Sequence, residues 1–273
     1  MVGVGGSSPL VSTIFTSFMK SINSIDINAD LGEFQNDKQL TNELIILNYI
    51  SSCSIACGGH TGDFDSIKII IEACKEKNIS IGPHPSYPDK KGFGRRKIDI
   101  DLLDLEKSIS NQIQSFLTIA ESLSMPVKHI KLHGKLYNDV AWEKKLCNFF
   151  LEIISEFHEN FSVIGPAKSP LESMTKKVGI SFIPEAFIDR RYTDDYSLVD
   201  RNQEGSLLDS VEDQTNQARN IIVERKVLTN NNKMIDIKAE TICIHGDSPS
   251  AIQAVRSVCN MLRKENINIQ SHS

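Results

Sequence analysis

From residue 25 onward, short apolar runs alternate with longer segments whose apolar positions recur every three to four residues. The runs at 25–30, 52–57, 79–83, 127–132, 161–165, 180–187 and 239–245 predict seven main strands. Helical periodicity is read over 39–51, 102–123, 139–158, 169–178 and 213–226. Asp63 sits where an N-cap belongs, ahead of a helix with Ile67, Ile70, Ile71 and Cys74 on one side. Ser248-Pro249 has the cap-and-first-position pattern that opens a last helix. A hairpin is expected around 230–232, and 188–211 reads as a long excursion of the kind that carries function.

Strands alternating with helices imply a parallel sheet covered by helices. No Gly-x-Gly-x-x-Gly follows the first strand, so a dinucleotide-binding sheet fits poorly. The expected fold is α/β: a single seven-stranded β/α (TIM-like) barrel, closed or nearly so, over residues 23–273. Residues 1–18 carry no charged side chain and lack the basic start of a secretory signal. Residues 1–22 are therefore read as a disordered leader ahead of the barrel, or as sequence before a true start near Met19, with a weak targeting segment as the alternative.

Composition narrows the partners. A net charge of -5 and short, scattered basic clusters argue against a nucleic-acid surface. No apolar stretch reaches the length needed to span a bilayer, so no membrane partner is expected. The six cysteines form no C-x-x-C pair and sit in apolar runs, as free thiols in a reducing cytosol do. A cytoplasmic protein is expected.

Four of the seven histidines close a strand beside Gly or Pro: His60, His84, His133 and His245. In α/β folds, active sites form in the loops that leave strand C-terminal ends. The first strand, Asp26-Ile-Asn-Ala-Asp-Leu-Gly-Glu33, puts Asp26, Asn28 and Asp30 on one face by the strand period of two. Buried acids there need partners. Lys131 and His133 share a face of the fourth strand, with Tyr137 beyond; Glu185, Asp189 and Arg190 follow the sixth. Arg95 lies in the Gly92-Phe-Gly-Arg-Arg96 loop as a guanidinium suited to a carboxylate, whereas Arg96 and Asp63 read better as structural groups. Two mechanisms fit: a metal held by an Asp and two His, or a metal-free site with a carboxylate base and a cationic oxyanion partner.

Together these segments resemble the LamB/YcsF family, over residues 25–263. The resemblance rests on Asp26–Glu33, Ile55-Ala-Cys-Gly-Gly-His-Thr-Gly-Asp63 and Gly82-Pro-His-Pro-Ser-Tyr-Pro-Asp89 with Gly92–Arg96. Lys131-Leu-His-Gly-Lys-Leu-Tyr-Asn138, Glu185-Ala-Phe-Ile-Asp-Arg190 and Thr241-Ile-Cys-Ile-His-Gly-Asp247 complete it. Leu132 and Lys135 stand where the family usually has Pro and Ala. Thr61 and the Asp194-Asp195-Tyr196 stretch depart from it too.

The resemblance implies a barrel of the glycoside hydrolase/deacetylase type and a hydrolase acting on a cyclic amide. The reaction would open 5-oxoproline to L-glutamate, coupled to ATP hydrolysis to ADP and phosphate. It also implies 5-oxoprolinase subunits B and C as partners sharing the ATP, and leaves room for a homo-oligomer. Asp30, His60, His84, His133 and Lys131 would then be catalytic, with Asp30, His60 and His84 as the ligand set for a divalent metal. Asp26, Asn28, Glu33, Arg95, Tyr137, Glu185, Arg190 and His245 would meet substrate. A stand-alone metal-dependent deacetylase or amidohydrolase, or a substrate-binding subunit without chemistry, are the alternative readings.

Overall fold

The computed structural model describes residues 22–157, 160–246 and 250–272. The first half runs β1 (Ser24–Leu31), α1 (Asp37–Ile46), β2 (Ser52–Ala56), α2 (Phe64–Glu76), β3 (Ser80–His84) and α3 (Leu102–Ser122). It continues through β4 (His129–Lys131), α4 (Gly134–Trp142), α5 (Lys144–Ser155), β5 (Ser162–Pro166), α6 (Pro170–Val178) and β6 (Phe182–Phe187). After the 188–210 excursion come α7 (Val211–Arg219), a π-helical turn (Asn220–Glu224), and the hairpin β7 (Lys226–Leu228) and β8 (Met234–Asp236). The chain closes with β9 (Thr241–His245), α8 (Ala251–Lys264) and β10 (Asn268–Ile269).

Seven parallel strands lie in the order β3-β2-β1-β9-β6-β5-β4. β3 and β4 meet through a parallel bridge between Ile81 and Val127, so the barrel is nearly closed. The alternation read in β1 sets its layers. Ile25, Ile27 and Ala29 are buried in the apolar shell beneath the helices, while Asp26, Asn28 and Asp30 are buried among polar groups of the interior. Register aligns Asp26 with Thr241, Asn28 with Cys243 and Asp30 with His245.

The helices form where the sequence supplies both a cap and an apolar face. Asp63 and Ser66 make a reciprocal capping box at α2, and Ile67, Ile70, Ile71 and Cys74 are buried against the sheet. Each such side chain contributes roughly 1.5–3 kcal/mol relative to exposure. Among the described residues no helix is long and apolar enough to cross a membrane.

Several expected elements differ from the fold. The helix expected over 139–158 is two helices, broken at Glu143, whose extended backbone (φ -94, ψ 105) ends α4 and begins α5. α4 also starts earlier, at Gly134. That residue has φ 58, and a Cβ there would come within 2.6 Å of the Gly94 carbonyl oxygen, so only glycine permits the approach. The helix expected over 213–226 gives way to a π turn and leaves helical geometry at Arg225, which is left-handed, because 226–228 is needed for the hairpin. The helix expected over 39–51 begins at Asp37, where the Asn36 side chain caps it, and ends at Ile46. The expected leader (apart from residue 22), Asp247 and the Ser248-Pro249 start signal lie outside the described residues.

Candidate active site

The site is built upward from a charged floor. Lys131 is buried (1% exposed) in the barrel axis, with Nζ 2.9 Å from Asp30 Oδ1 and 2.7 Å from Glu185 Oε1. It also donates to Asn28 Oδ1 at 3.0 Å and lies 3.1 Å from Cys243 Sγ. Glu185 accepts from Tyr137 Oη at 2.6 Å and from Asn28 Nδ2 at 2.9 Å. Burial opposes both charges of the Lys131–Asp30 pair. The pair overcomes it: His84 and Lys131 hold Asp30 well below the usual carboxylate range, and Asp30 foremost holds Lys131 well above the usual ammonium range. Such an arrangement survives burial only because every member is matched.

The three inward acids and amides therefore do different work at different heights. Asp26 lies at the base, where Ser51, Ser52 and Thr241 donate to it. Asn28 and Glu185 have their polar atoms engaged within the floor network. None of the three is among the residues lining the main cavity, so their expected substrate contacts are not what the structure places there. The physical reason is height: strand period fixes the face of a residue and not its distance from the mouth.

Above the floor, three imidazoles and Glu33 pack together. His84 Nδ1 is 2.8 Å from the Lys131 carbonyl oxygen, and His133 Nε2 is 3.0 Å from that of Phe93. Carbonyls only accept, so both of those nitrogens carry protons. His84 Nε2 and His133 Nδ1 then face each other across 3.0 Å, with Asp30 Oδ2 3.4 Å from the first and Glu33 Oε1 3.4 Å from the second, so the gap suits a shared proton or a metal ion. Burial, aided by the neighbouring His60 and His84, holds His133 well below its usual pKa. His60 stacks on His133 with centroids 3.6 Å apart and its Nε2 is 2.8 Å from Glu33 Oε1. Burial pushes the His60 pKa down to about 3, and its buried Nδ1 has no partner among the described residues. Glu33 is held in place through the backbone: Glu43 accepts the N–H groups of Gly32 and Glu33 at 2.7 and 3.1 Å.

These atoms bear on the metal question. Ligand atoms of Glu33, His84 and His133 all lie within 4.8 Å of one another, and the Glu33–His133 edge is 3.4 Å. Two ligands bound tetrahedrally at 2.0–2.1 Å lie about 3.4 Å apart, so the set fits a divalent cation. The two carbonyls fix both lone pairs toward it. The trio Asp30, His60 and His84 is not the set that converges. Asp30 Oδ1 is taken by Lys131, and His60 Nε2 is directed at Glu33. A second cluster, Asp30, Cys243 and His245, already has the Lys131 ammonium 2.9 Å from Asp30 and 3.1 Å from Cys243, where a cation would stand.

A cavity of about 620 Å³ opens over this floor, lined among others by Asp30, Lys131, His133, Tyr137, Phe187 and His245. Arg95 and Arg190 also line it, while Glu33 lines a smaller neighbouring cavity. On one wall His245 stacks on Phe187, and its Nδ1 is 2.6 Å from Asp189 Oδ2. Burial would lower the His245 pKa, but Asp189 raises it above the usual value. Asp189, Phe93 and Cys243 have no role that the sequence pattern assigns. Asp189 meets His245 across 56 positions of sequence, which no local motif reports. Arg96 makes a two-point contact with Asp89, at 2.7 and 3.0 Å, consistent with its structural reading.

Comparison with known proteins adds to this geometry. A model of the LamB/YcsF family matches residues 25–273. A protein of Staphylococcus epidermidis, named as the A subunit of 5-oxoprolinase, is 37% identical over 247 residues, covering 90% of this chain and 98% of that one. One of the same name from Campylobacter jejuni is 36% identical, covering 90% and 96%. A solved structure described as a lactam utilization protein from Thermus thermophilus superposes with a TM-score of 0.81 at 25% identity, covering 90% of this chain and 99% of the other.

Proposed function

The chain belongs to the LamB/YcsF family, and from that premise we propose that it is the lactam-opening component of an ATP-dependent 5-oxoprolinase. The observation that carries the reading is one cavity with His133 of the imidazole–carboxylate cluster on its wall and the Asp189–His245 pair facing into it as well. Lactam hydrolysis needs both halves: water must be activated at the carbonyl carbon, and the ring nitrogen must receive a proton as the C–N bond breaks.

His60 is neutral, donates to Glu33 through Nε2 and keeps a lone pair on Nδ1. Together with His133 it suits the water side. His245, whose pKa is raised against burial by its contact with Asp189, suits the nitrogen side. The Lys131–Asp30 pair forms the charged floor of the cavity, with the Lys131 N–H groups spent on Asp30, Glu185 and Asn28. Glu33, His84 and His133 would hold a divalent cation, which when bound would polarise the carbonyl and acidify water. A resting lactam is a poor electrophile, so transfer of the γ-phosphoryl group of ATP to the amide oxygen, by partner subunits B and C, would activate the carbon for attack by water. Inorganic phosphate would leave as the new carboxylate forms and the C–N bond opens.

The ligand-like set at Glu33, His84 and His133 also favours a second reading, a stand-alone amidohydrolase that needs no ATP. ATP dependence of glutamate release separates the two.

The proton-donor role has its own test. The protonated form of His245 is present below its pKa and lost as pH rises through it, and that pKa is raised by Asp189 and Asp30 and lowered by burial and Arg201. In Asp189→Asn the alkaline limb of the kcat/KM profile is expected to move to lower pH by about one unit. An unmoved limb would remove His245 from the proton-donor role.

A further inference from the structure

Arg190 is a buried guanidinium (7% exposed) on the wall of the main cavity, and its Nε meets no acceptor among the described residues. One of its nitrogens, Nη2, donates to the Val199 carbonyl at 2.7 Å, which fixes the head group in the excursion after β6. Its chain neighbour Asp189 gives Oδ2 to His245. Arg201 and Arg95 line the same cavity and lie close enough to Arg190 that their charges, after burial, lower its pKa.

Asp189 opposes that lowering, and other cations around the cavity are paired with acids as well. Lys131 pairs with Asp30 and Glu185, Lys135 with Asp139, and Arg96 with Asp89. Bringing guanidinium groups together around a buried N–H that no acceptor meets costs free energy in the free protein. A bound anion removes that cost.

We propose that Arg190, flanked by Arg201 and Arg95, is the subsite for an oxyanion carried by the lactam substrate, a carboxylate or a phosphoryl group. This rests on the lactam-opening reading and adds to it a rule of substrate selection. In 5-oxoproline the carboxylate sits on the carbon bonded to the ring nitrogen, and the carbonyl lies on the other side of that nitrogen. A carboxylate held at Arg190 therefore turns the nitrogen toward His245, the partner of the residue next to Arg190 in the chain. The carbonyl is then free to face the side of the cavity that His133 lines. A guanidinium recognises a planar carboxylate by two parallel hydrogen bonds, which a lactam without the acid cannot return. Sites built around such a group reject analogues lacking it strongly, because the buried donor is left unpaired.

The test is binding of 5-oxoproline, of 2-pyrrolidinone (the same ring without the carboxylate) and of inorganic phosphate to the whole chain by calorimetry or ligand-observed NMR. Arg190→Met is expected to weaken 5-oxoproline about 100-fold and leave 2-pyrrolidinone unchanged. Arg190→Lys should recover part of the loss, and Arg201→Gln, which leaves the buried group intact, should weaken binding several-fold. If phosphate binding needs Arg190 while 5-oxoproline binding does not, the oxyanion is a phosphoryl group. The proposal is overturned if Arg190→Met and Arg190→Lys, both folded by thermal melting, bind 5-oxoproline and phosphate as the parent does. It is also overturned if the parent holds 2-pyrrolidinone as tightly as 5-oxoproline and does not bind phosphate. These are binding measurements, so they stay readable if the protein proves to release no glutamate, an outcome that would sink the reading and not the subsite.

Discussion

His133→Ala is expected to lower glutamate release from 5-oxoproline by about 1,000-fold or more in the assembled enzyme, because one ring serves three contacts at the mouth. It lines the cavity, faces His84 Nε2 at 3.0 Å and stacks on His60 at 3.6 Å. Loss of a positioned acid–base group alone costs about 100- to 10,000-fold. Here the imidazole stack and the cation ligand set fall with it. The backbone contacts of residue 133, its N–H to the Pro85 carbonyl and its carbonyl to the Tyr137 N–H, do not need the ring, so the fold should survive. Thermal melting close to the parent, with turnover lost and a stoichiometric divalent cation no longer retained on dialysis, is the expected combination. Parent-like turnover in a folded His133→Ala would remove the cluster from the chemistry.

Lys131→Met is expected to act on stability first. The change leaves Asp30 and Glu185 facing each other in the barrel axis without the ammonium that lies 2.9 and 2.7 Å from them. Breaking a buried ion pair by removing one partner typically costs about 3–5 kcal/mol, since the remaining charge is desolvated and unpaired. For a chain of this size that is a fall in Tm of roughly 10 °C. The second substitution decides the cause. Adding Glu185→Gln removes one of the stranded charges and should restore part of the lost stability, a positive coupling in a double-mutant cycle. If the two changes simply add, the floor is held by packing and not by charge.

Much of this site is legible in the sequence, and the limits have physical causes. Strand alternation correctly puts Asp26, Asn28 and Asp30 inside, but the period says nothing of height. A residue at the base, one in the middle and one near the mouth look alike until the register with β9 is known. The glycine-bearing strand ends correctly bring out His60, His84 and His133, which pack on one another. They do not reveal that His245 stands apart from them with Asp189. The ligand geometry is out of reach for a similar reason. Which nitrogen of His84 or His133 is free depends on the Lys131 and Phe93 carbonyls, and those contacts belong to loop closure rather than to side-chain pattern. The break at Glu143 is hard to read because helical spacing resumes on both sides of the exposed Glu143-Lys144-Lys145 triplet, where a single extended residue redirects the chain.

The most direct test of the central claim is glutamate release from 5-oxoproline, measured for the purified chain alone and for the chain with partner subunits B and C, each with and without ATP. Release is expected only when the chain, its partners and ATP are all present, with one ADP formed per lactam opened. Release of glutamate by the partners and ATP when this chain is left out would contradict it.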